Sequence, residues 1–299
     1  MLLHMKSKFL KETLGKWTVS VIGFFIIILT LVITYFLFYK GLATFTVHKF
    51  SVFDFLLGET WEPDSNKIGA AVFIRGTVLV SLLAIALATP FAIACAIFMN
   101  DISPKVGSKF LQPAIEIFVG IPSVVYGWVG VTVLCPFIAR SFHITFGNGL
   151  SVLAGGIVLA VMIFPTITSV SADALRNVSK DYKEASYALG STRWQMLSKI
   201  ALPSASPGIF TGIVLGIDRA LGEALAVSMV IGNAMKFPKD ILDQTTTLTT
   251  QIASAMENAV DNTPAKDSLW TMALLLFVIS FLFIIVIRLI GRRAGRGAR

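Results

Sequence analysis

Three ionisable residues stand inside an otherwise apolar stretch, "SPGIFTGIVLGIDRALGEALAVSMVIGN", which runs from Ser206 to Asn233. They are Asp218, Arg219 and Glu223. A charge at bilayer depth costs roughly 2.5–3.5 kcal/mol on insertion scales, and such residues by default mark a path for a substrate or ion. Arg219 and Glu223 are four positions apart, so on an unbroken helix they share a face. Two kinds of chemistry are open to them. They can neutralise one another as a fixed ion pair that pins the bundle. Alternatively the pair opens and an anion takes the carboxylate's place on the guanidinium, whose planar fork of donors matches a tetrahedral oxyanion. Asp218 either pairs with a neighbouring subunit or lies at a cavity edge. Arg75, followed by Gly76-Thr77 at the mouth of another apolar run, is either an attractor for anions or an arginine snorkelling to the interface.

A second stretch, "EASYALGSTRWQMLSKIALP" (Glu184 to Pro203), is polar where its surroundings are not. It predicts two short helices. Asp181 can cap the first, with Glu184 completing a capping box, and Gly190 supplies the left-handed residue that ends it. Thr192 and Gln195 offer a second box, and the second helix is expected to stop near Leu202 because Pro203 follows. Tyr187, Leu189, Trp194, Met196, Leu197 and Ile200 give this elbow apolar faces that need a partner. It is either an amphipathic connector on the membrane surface or a knob that docks in a groove of another protein.

The elements that position these residues are transmembrane. Of 299 residues, 55% are hydrophobic and 14% charged, with a mean hydropathy of +0.79. A soluble domain carries about 25% charged residues. Spanning a bilayer takes about 20 apolar residues, and six runs qualify: 17–39, 77–99, 115–138, 150–171, 206–232 and 269–290. The expected fold is an all-α polytopic bundle. The first and last runs are uniformly apolar and suit lipid. The middle four are rich in Gly, Ala, Ser and Thr, which let helices approach closely. Their prolines (Pro90, Pro122, Pro165, Pro207) are tolerable only against protein or a wet cavity. The chain thus divides into an N-terminal tail (1–16), a membrane domain (17–291) carrying the polar loop 172–205, and a basic tail (292–299).

Lys and Arg set the orientation. With the N-terminus inside, 16 of the 25 fall on the cytoplasmic side, eight outside, and Arg219 within a span. The formal charge of +8 is therefore a topology signal rather than a nucleic-acid footprint. Cys95 and Cys135 fall inside spans and suit packing. The isolated His4, His48 and His143 offer no metal cluster. No cofactor is indicated. The phosphate-cradling G-x-x-x-x-G-K-[ST] loop is absent, so the chain is not expected to hydrolyse ATP. The outer loops, about 40–76 and 234–268, are where an external protein would dock.

The spacing Glu184-Ala185-Ser186, three residues, Gly190, nine residues, Ile200, one residue, Leu202-Pro203 resembles the "EAA" loop of ATP-binding-cassette importer permeases. Ser186 is the departure, one small residue for another. The segment Arg219–Asn233, together with "GIPSVVYGWVG" (Gly120–Gly130) and the "WEP…IG" stretch from Trp61 to Gly69, resembles the phosphate-specific importer permeases of PstC type. Ala224-Leu225-Ala226-Val227 stands where the PstA-type companion carries a Thr-Ala-Pro-like sequence. The resemblance implies a type I importer permease fold in a bacterial cytoplasmic membrane, multi-pass, with both termini cytoplasmic. It implies a PstA-type subunit as heterodimer partner, an ATPase homodimer gripping the elbow, and an extracytoplasmic phosphate-binding protein. Inorganic phosphate would pass Arg219, Glu223, Asp218 and Arg75. A permease for another oxyanion and a secondary transporter driven by an ion gradient remain as alternatives. The latter class often shows inverted repeats, and none is apparent.

Overall fold

A computed structural model describes residues 2–65, 67–144, 147–261 and 263–296. The chain opens with one long helix, α1 (Leu2–Gly41). Two short helices follow, α2 (Ala43–Thr46) and α3 (Val52–Leu57), the latter capped by the Ser51 hydroxyl on Asp54 N–H. A two-stranded antiparallel ribbon, β1 (Trp61–Glu62) with β2 (Lys67–Ile68), sets Trp61 opposite Ile68. Helix α4 (Ala71–Ile97) continues through one wide turn to Ile102 and is followed by α5 (Pro104–Val106). Next come α6 (Gln112–Gly120), α7 (Ser123–Val129), α8 (Cys135–Ser141) and α9 (Val152–Arg176). The elbow is α10 (Lys180–Ala188) and α11 (Arg193–Met196). The chain closes with α12 (Leu202–Gly222), α13 (Leu225–Val230), α14 (Leu248–Ala255) and α15 (Pro264–Arg296).

Among the described residues six helical segments are long and apolar enough to cross a membrane: Gly15–Thr46, Ala71–Ile102, Ser123–Ser141, Val152–Arg176, Arg193–Gly222 and Pro264–Gly291. Their burial separates them. None of the first segment's most apolar window is buried and only 6% of the last, against 67% of the fourth. Helix α9 is the centre, packed along α4 and α12. Lipid tails are as apolar as leucine, so close van der Waals packing rather than dehydration holds such helices together. The contacts show it: Gly156 lies against Leu83, Gly208 against Ala174, and Gly216 against Ile167. At the C-terminal end of the first segment, the Thr44 and Thr271 hydroxyls meet at 2.6 Å and tie α15 to it.

Three expected boundaries differ. The run 115–138 is broken at Ile121, whose backbone is extended (φ −71°, ψ 128°). Pro122 follows, and a residue before proline is pushed out of the helical region. The run 206–232 ends as a helix at Gly222. The second arm of the elbow does not stop at Leu202. A wide turn, Leu197–Ala201, carries it into α12, and Pro203 sits in that helix's first turn, where proline needs no N–H partner. Part of the basic tail is helical, because α15 runs to Arg296, while 297–299, with Arg299, lie outside the described residues.

Candidate functional site

The break after Gly222 decides what the intramembrane charges can do. Glu223 is extended (φ −78°, ψ 117°), and a new short helix, α13, starts two residues later. Its carboxylate turns to that helix and accepts from the Ala226 N–H at 3.1 Å, a favourable place for a negative charge. The shared helix face expected for Arg219 and Glu223 does not form, since the helix ends between them. Arg219 is half-buried and donates instead to the Thr166 hydroxyl of α9 at 3.2 Å. The ion pairs among the described residues join His48 to Asp267, Arg176 to Asp173, Lys183 to Asp101 and Lys266 to Asp261. Neither Arg219, Glu223 nor Asp218 is among them. Among the described residues the Arg219 guanidinium therefore has a hydroxyl, and no carboxylate, as its side-chain partner.

Asp218 is exposed, one step round α12. It belongs to a stripe in which Ser204, Pro207, Thr211, Leu215, Asp218 and Gly222 recur every three or four residues, all exposed. Helix α9 exposes Ser169, Asp173 and Arg176 in the same rhythm. The two helices meet through Gly208 on Ala174 and Gly212 on Val170. Helical geometry places both stripes on the same edge of that contact. At one end the edge opens into a crevice of about 460 Å³ lined by Asn177, Ser179, Tyr182, Ser204 and Pro207 among others. Hydroxyls and charges on a membrane-spanning face call for water or another protein, not lipid. Tyr126 donates to the Phe118 carbonyl at 2.8 Å, bridging the break in the third span. Arg75 stands apart from this group. It is exposed near the start of α4, its guanidinium 5.5 Å from the Phe237 ring centre.

A second wall of the site lies in a segment the sequence placed in an outer loop. Thr245, Thr246, Thr247, Thr249, Thr250 and Gln251 are all buried. The segment folds back into the bundle: Thr249 donates to the Glu223 carbonyl at 3.1 Å, and Leu248 N–H donates to the Thr77 hydroxyl at 2.9 Å. Gly76 is needed beside it, because a Cβ there would collide with the Thr246 carbonyl. The run 234–268 is therefore not wholly available for docking. Two signals were present in the sequence, the Gly76-Thr77 pair and the density of threonines before α14. Neither identifies the other as its partner.

The elbow divides its residues between two faces. Gly190 adopts φ +79°, with Gly190 N–H on the Tyr187 carbonyl (2.9 Å) and Ser191 N–H on that of Ser186 (3.2 Å), the double closure that ends a helix with a left-handed residue. Ser186, the departure from the family pattern, is buried and its hydroxyl meets that of Ser191, so the substitution adds a lock across the turn. Thr192 and Gln195 form the expected capping box. The first helix, however, is capped by Ser179 rather than Asp181, which occupies the second helical position. Met196 and Leu197 are buried against Ala172, Leu175 and Ala205 of the bundle. Leu189 and Trp194 point away, 89% and 70% exposed, with Tyr187 beside them and Glu184 and Ala185 also exposed. Ile200, Leu202 and Pro203 are half-buried at the root.

A broken-helix permease bundle with a free apolar elbow is the architecture of type I ATP-binding-cassette importers. A solved bacterial alginate ABC transporter, in complex with an alginate pentasaccharide-bound periplasmic protein, matches with a TM-score of 0.66 at 16% identity, over 95% of this chain and 97% of that one. That likeness is one of fold. The pattern of the family "Binding-protein-dependent transport system inner membrane component" matches residues 88–296, and the chain belongs to this family. It is 48% identical to the probable ABC transporter permease protein YqgH of Bacillus subtilis (strain 168), over 95% of this chain and 92% of the relative. It is 36% identical to the phosphate transport system permease protein PstC of Mesorhizobium japonicum, over 79% of this chain and 77% of that relative. It is accordingly a multi-pass inner-membrane transport component.

Proposed function

We propose that this chain forms one half of the membrane pathway of an ATP-driven importer of inorganic phosphate. The observation that carries the reading is Arg219: a guanidinium within a span, half-buried, held by one hydroxyl and, among the described residues, opposed by no carboxylate. Such a group is an attractor for a tetrahedral oxyanion. The polar edge of α9 and α12 beside it gives the anion a wet route. Likeness to PstC relatives supports phosphate as the oxyanion.

The polar edge of α9 and α12 faces a PstA-type companion subunit, and Asp218 and Arg219 stand at that seam. The loop 172–205 and both termini lie in the cytoplasm, where the Lys and Arg bias puts them. There the exposed face around Glu184, Ala185, Tyr187, Leu189 and Trp194 seats in a cleft of a homodimeric ATPase. ATP binding moves the elbow, and the bundle alternates between outward and inward openings. Phosphate arrives from an extracytoplasmic binding protein, and Arg75 adds positive potential at the entrance.

Arg219→Met tests the reading in cells whose other phosphate uptake systems are deleted. Labelled phosphate uptake is expected to be lost while the variant still co-purifies with its companion and ATPase. Unchanged uptake would refute the assignment of Arg219. Competition of wild-type uptake by sulfate or molybdate as strong as by unlabelled phosphate would refute phosphate as the substrate.

A further inference from the structure

The elbow is fastened to α4 by both of its arms, although the two are far apart in sequence. From α10, the Lys183 ammonium reaches Asp101 just beyond α4, Nζ to Oδ1 2.7 Å, with the Asp101 side chain 5% exposed. From α11, the Arg193 guanidinium donates to the Ile102 carbonyl at 3.0 Å. Asn100 secures the same stretch to α9 by donating to the Ala172 carbonyl at 2.7 Å. The other end of α4 holds the threonine segment, through Thr77 on Leu248 N–H and the close approach of Gly76 to Thr246. One rod therefore touches the elbow at its inner end and the wall beside Glu223 at its outer end.

The elbow reaches α9 and α12 through the chain itself, but it reaches α4 only through space. Beside these bonds lies an apolar cluster that includes Met196, Leu197 and Ala201 together with Ala96 of α4. Such a contact is non-directional and can slide. A short ion pair with a buried carboxylate cannot slide without leaving a charge uncompensated in a dry place. The second oxygen of Asp101 is buried and unpartnered, so Lys183 is the only group neutralising it among the described residues.

We propose that the Lys183–Asp101 ion pair is the joint that passes movement of the elbow to α4, and through α4 to the threonine segment at the outer end of the pathway. The proposal rests on the coupling role given to the elbow above. Lys183 and Asp101 are positioning residues and touch no substrate.

The test uses the complete importer, with companion permease, ATPase and binding protein, reconstituted in lipid vesicles. Phosphate uptake and ATP hydrolysis are measured on the same samples for Asp101→Asn, for Lys183→Met, and for the reversed pair Asp101→Lys with Lys183→Asp. In the single variants the complex is expected to assemble and hydrolyse ATP while phosphate moved per ATP falls about 5- to 150-fold, the range of a typical coupling free energy. The reversed pair is expected to recover most of that ratio. An unchanged ratio in the single variants, or a reversed pair as poorly coupled as they are, overturns the joint. If the single variants do not assemble, recovery of assembly and coupling in the reversed pair supports it, and failure of all three to assemble overturns it. A wild-type complex that moves no phosphate with ATP would overturn the coupling reading itself and the joint with it.

Discussion

Replacing Thr77 with valine removes one oxygen and keeps the shape of the side chain. That oxygen is the acceptor for Leu248 N–H at 2.9 Å, and its own proton goes to the Phe73 carbonyl at 2.8 Å. Both Thr77 and Leu248 are buried. Leu248 opens α14, so its amide belongs to the first turn, where no helical carbonyl can receive it. In Thr77→Val the amide is left buried without a partner, at a cost of about 1–3 kcal/mol. That is about 5- to 150-fold in the equilibrium between docked and undocked threonine segment. The Phe73 carbonyl is already within the helix ladder, so its loss adds little. Amide exchange read by mass spectrometry over 245–255, in the purified protein, should accelerate by that factor, with exchange along α9 unchanged. Thr77→Ser keeps the oxygen and should exchange like wild type. Unaltered exchange over 245–255 in Thr77→Val would show that the segment is held by its own threonine bonds, and that α4 does not anchor it.

Three further substitutions probe the elbow and the loop before the threonine segment. Leu189→Ala should leave thermal unfolding in detergent within about 0.5 kcal/mol of wild type, as expected of an exposed site, while weakening retention of the ATPase in a pull-down. Met196→Ala, at a position only 2% exposed, should lower stability by about 2–5 kcal/mol. Equal behaviour of the two variants in either assay would contradict the division of the elbow into a free face and a packed face. In the loop before the threonine segment, the Lys239 and Asp240 amides donate to the Asp243 carboxylate and, with the charges of Lys236 and Lys239, hold it below the usual carboxylate value. A depressed value means that its contribution is complete above about pH 3.9, the unfolded value, and is lost as pH falls through the lower folded one. Proteolytic nicking at 236–243 should therefore rise only on strong acidification in wild type, but already at neutral pH in Asp243→Ala.

Lipid imposes a length and a composition on whatever crosses it, and for that reason the helical spans could be read from runs such as Trp17–Tyr39 and Leu269–Ile290 without any partner residue in view. The elbow could be read for a different reason. Gly190, Thr192 and Gln195 act within a few positions of one another, and short-range hydrogen bonds leave short-range spacing. The site itself was only half legible. That Arg219 and Glu223 are intramembrane charges was evident, but their separation depends on a helix ending at Gly222. Nothing between Ile217 and Leu225 announces that end, because a glycine followed by a glutamate is acceptable in a helix as well as at its close. The partner at the break is distant in sequence: the Glu223 carbonyl accepts from Thr249, 26 positions away, and the threonine segment is itself held by Thr77, 171 positions from Leu248. A reading by periodicity sees polar residues after the fifth span and assigns them to solvent. In the fold they bond to one another and to the broken helix instead, beside a Glu223 that stands apart from Arg219. The separation of Arg219 from Glu223, on which the proposed transport role depends, thus involves contacts distant in sequence, and Thr249→Val, which removes the bond to the Glu223 carbonyl, should lower phosphate uptake by the reconstituted importer, whereas unchanged uptake would show that this bond does not maintain the separation.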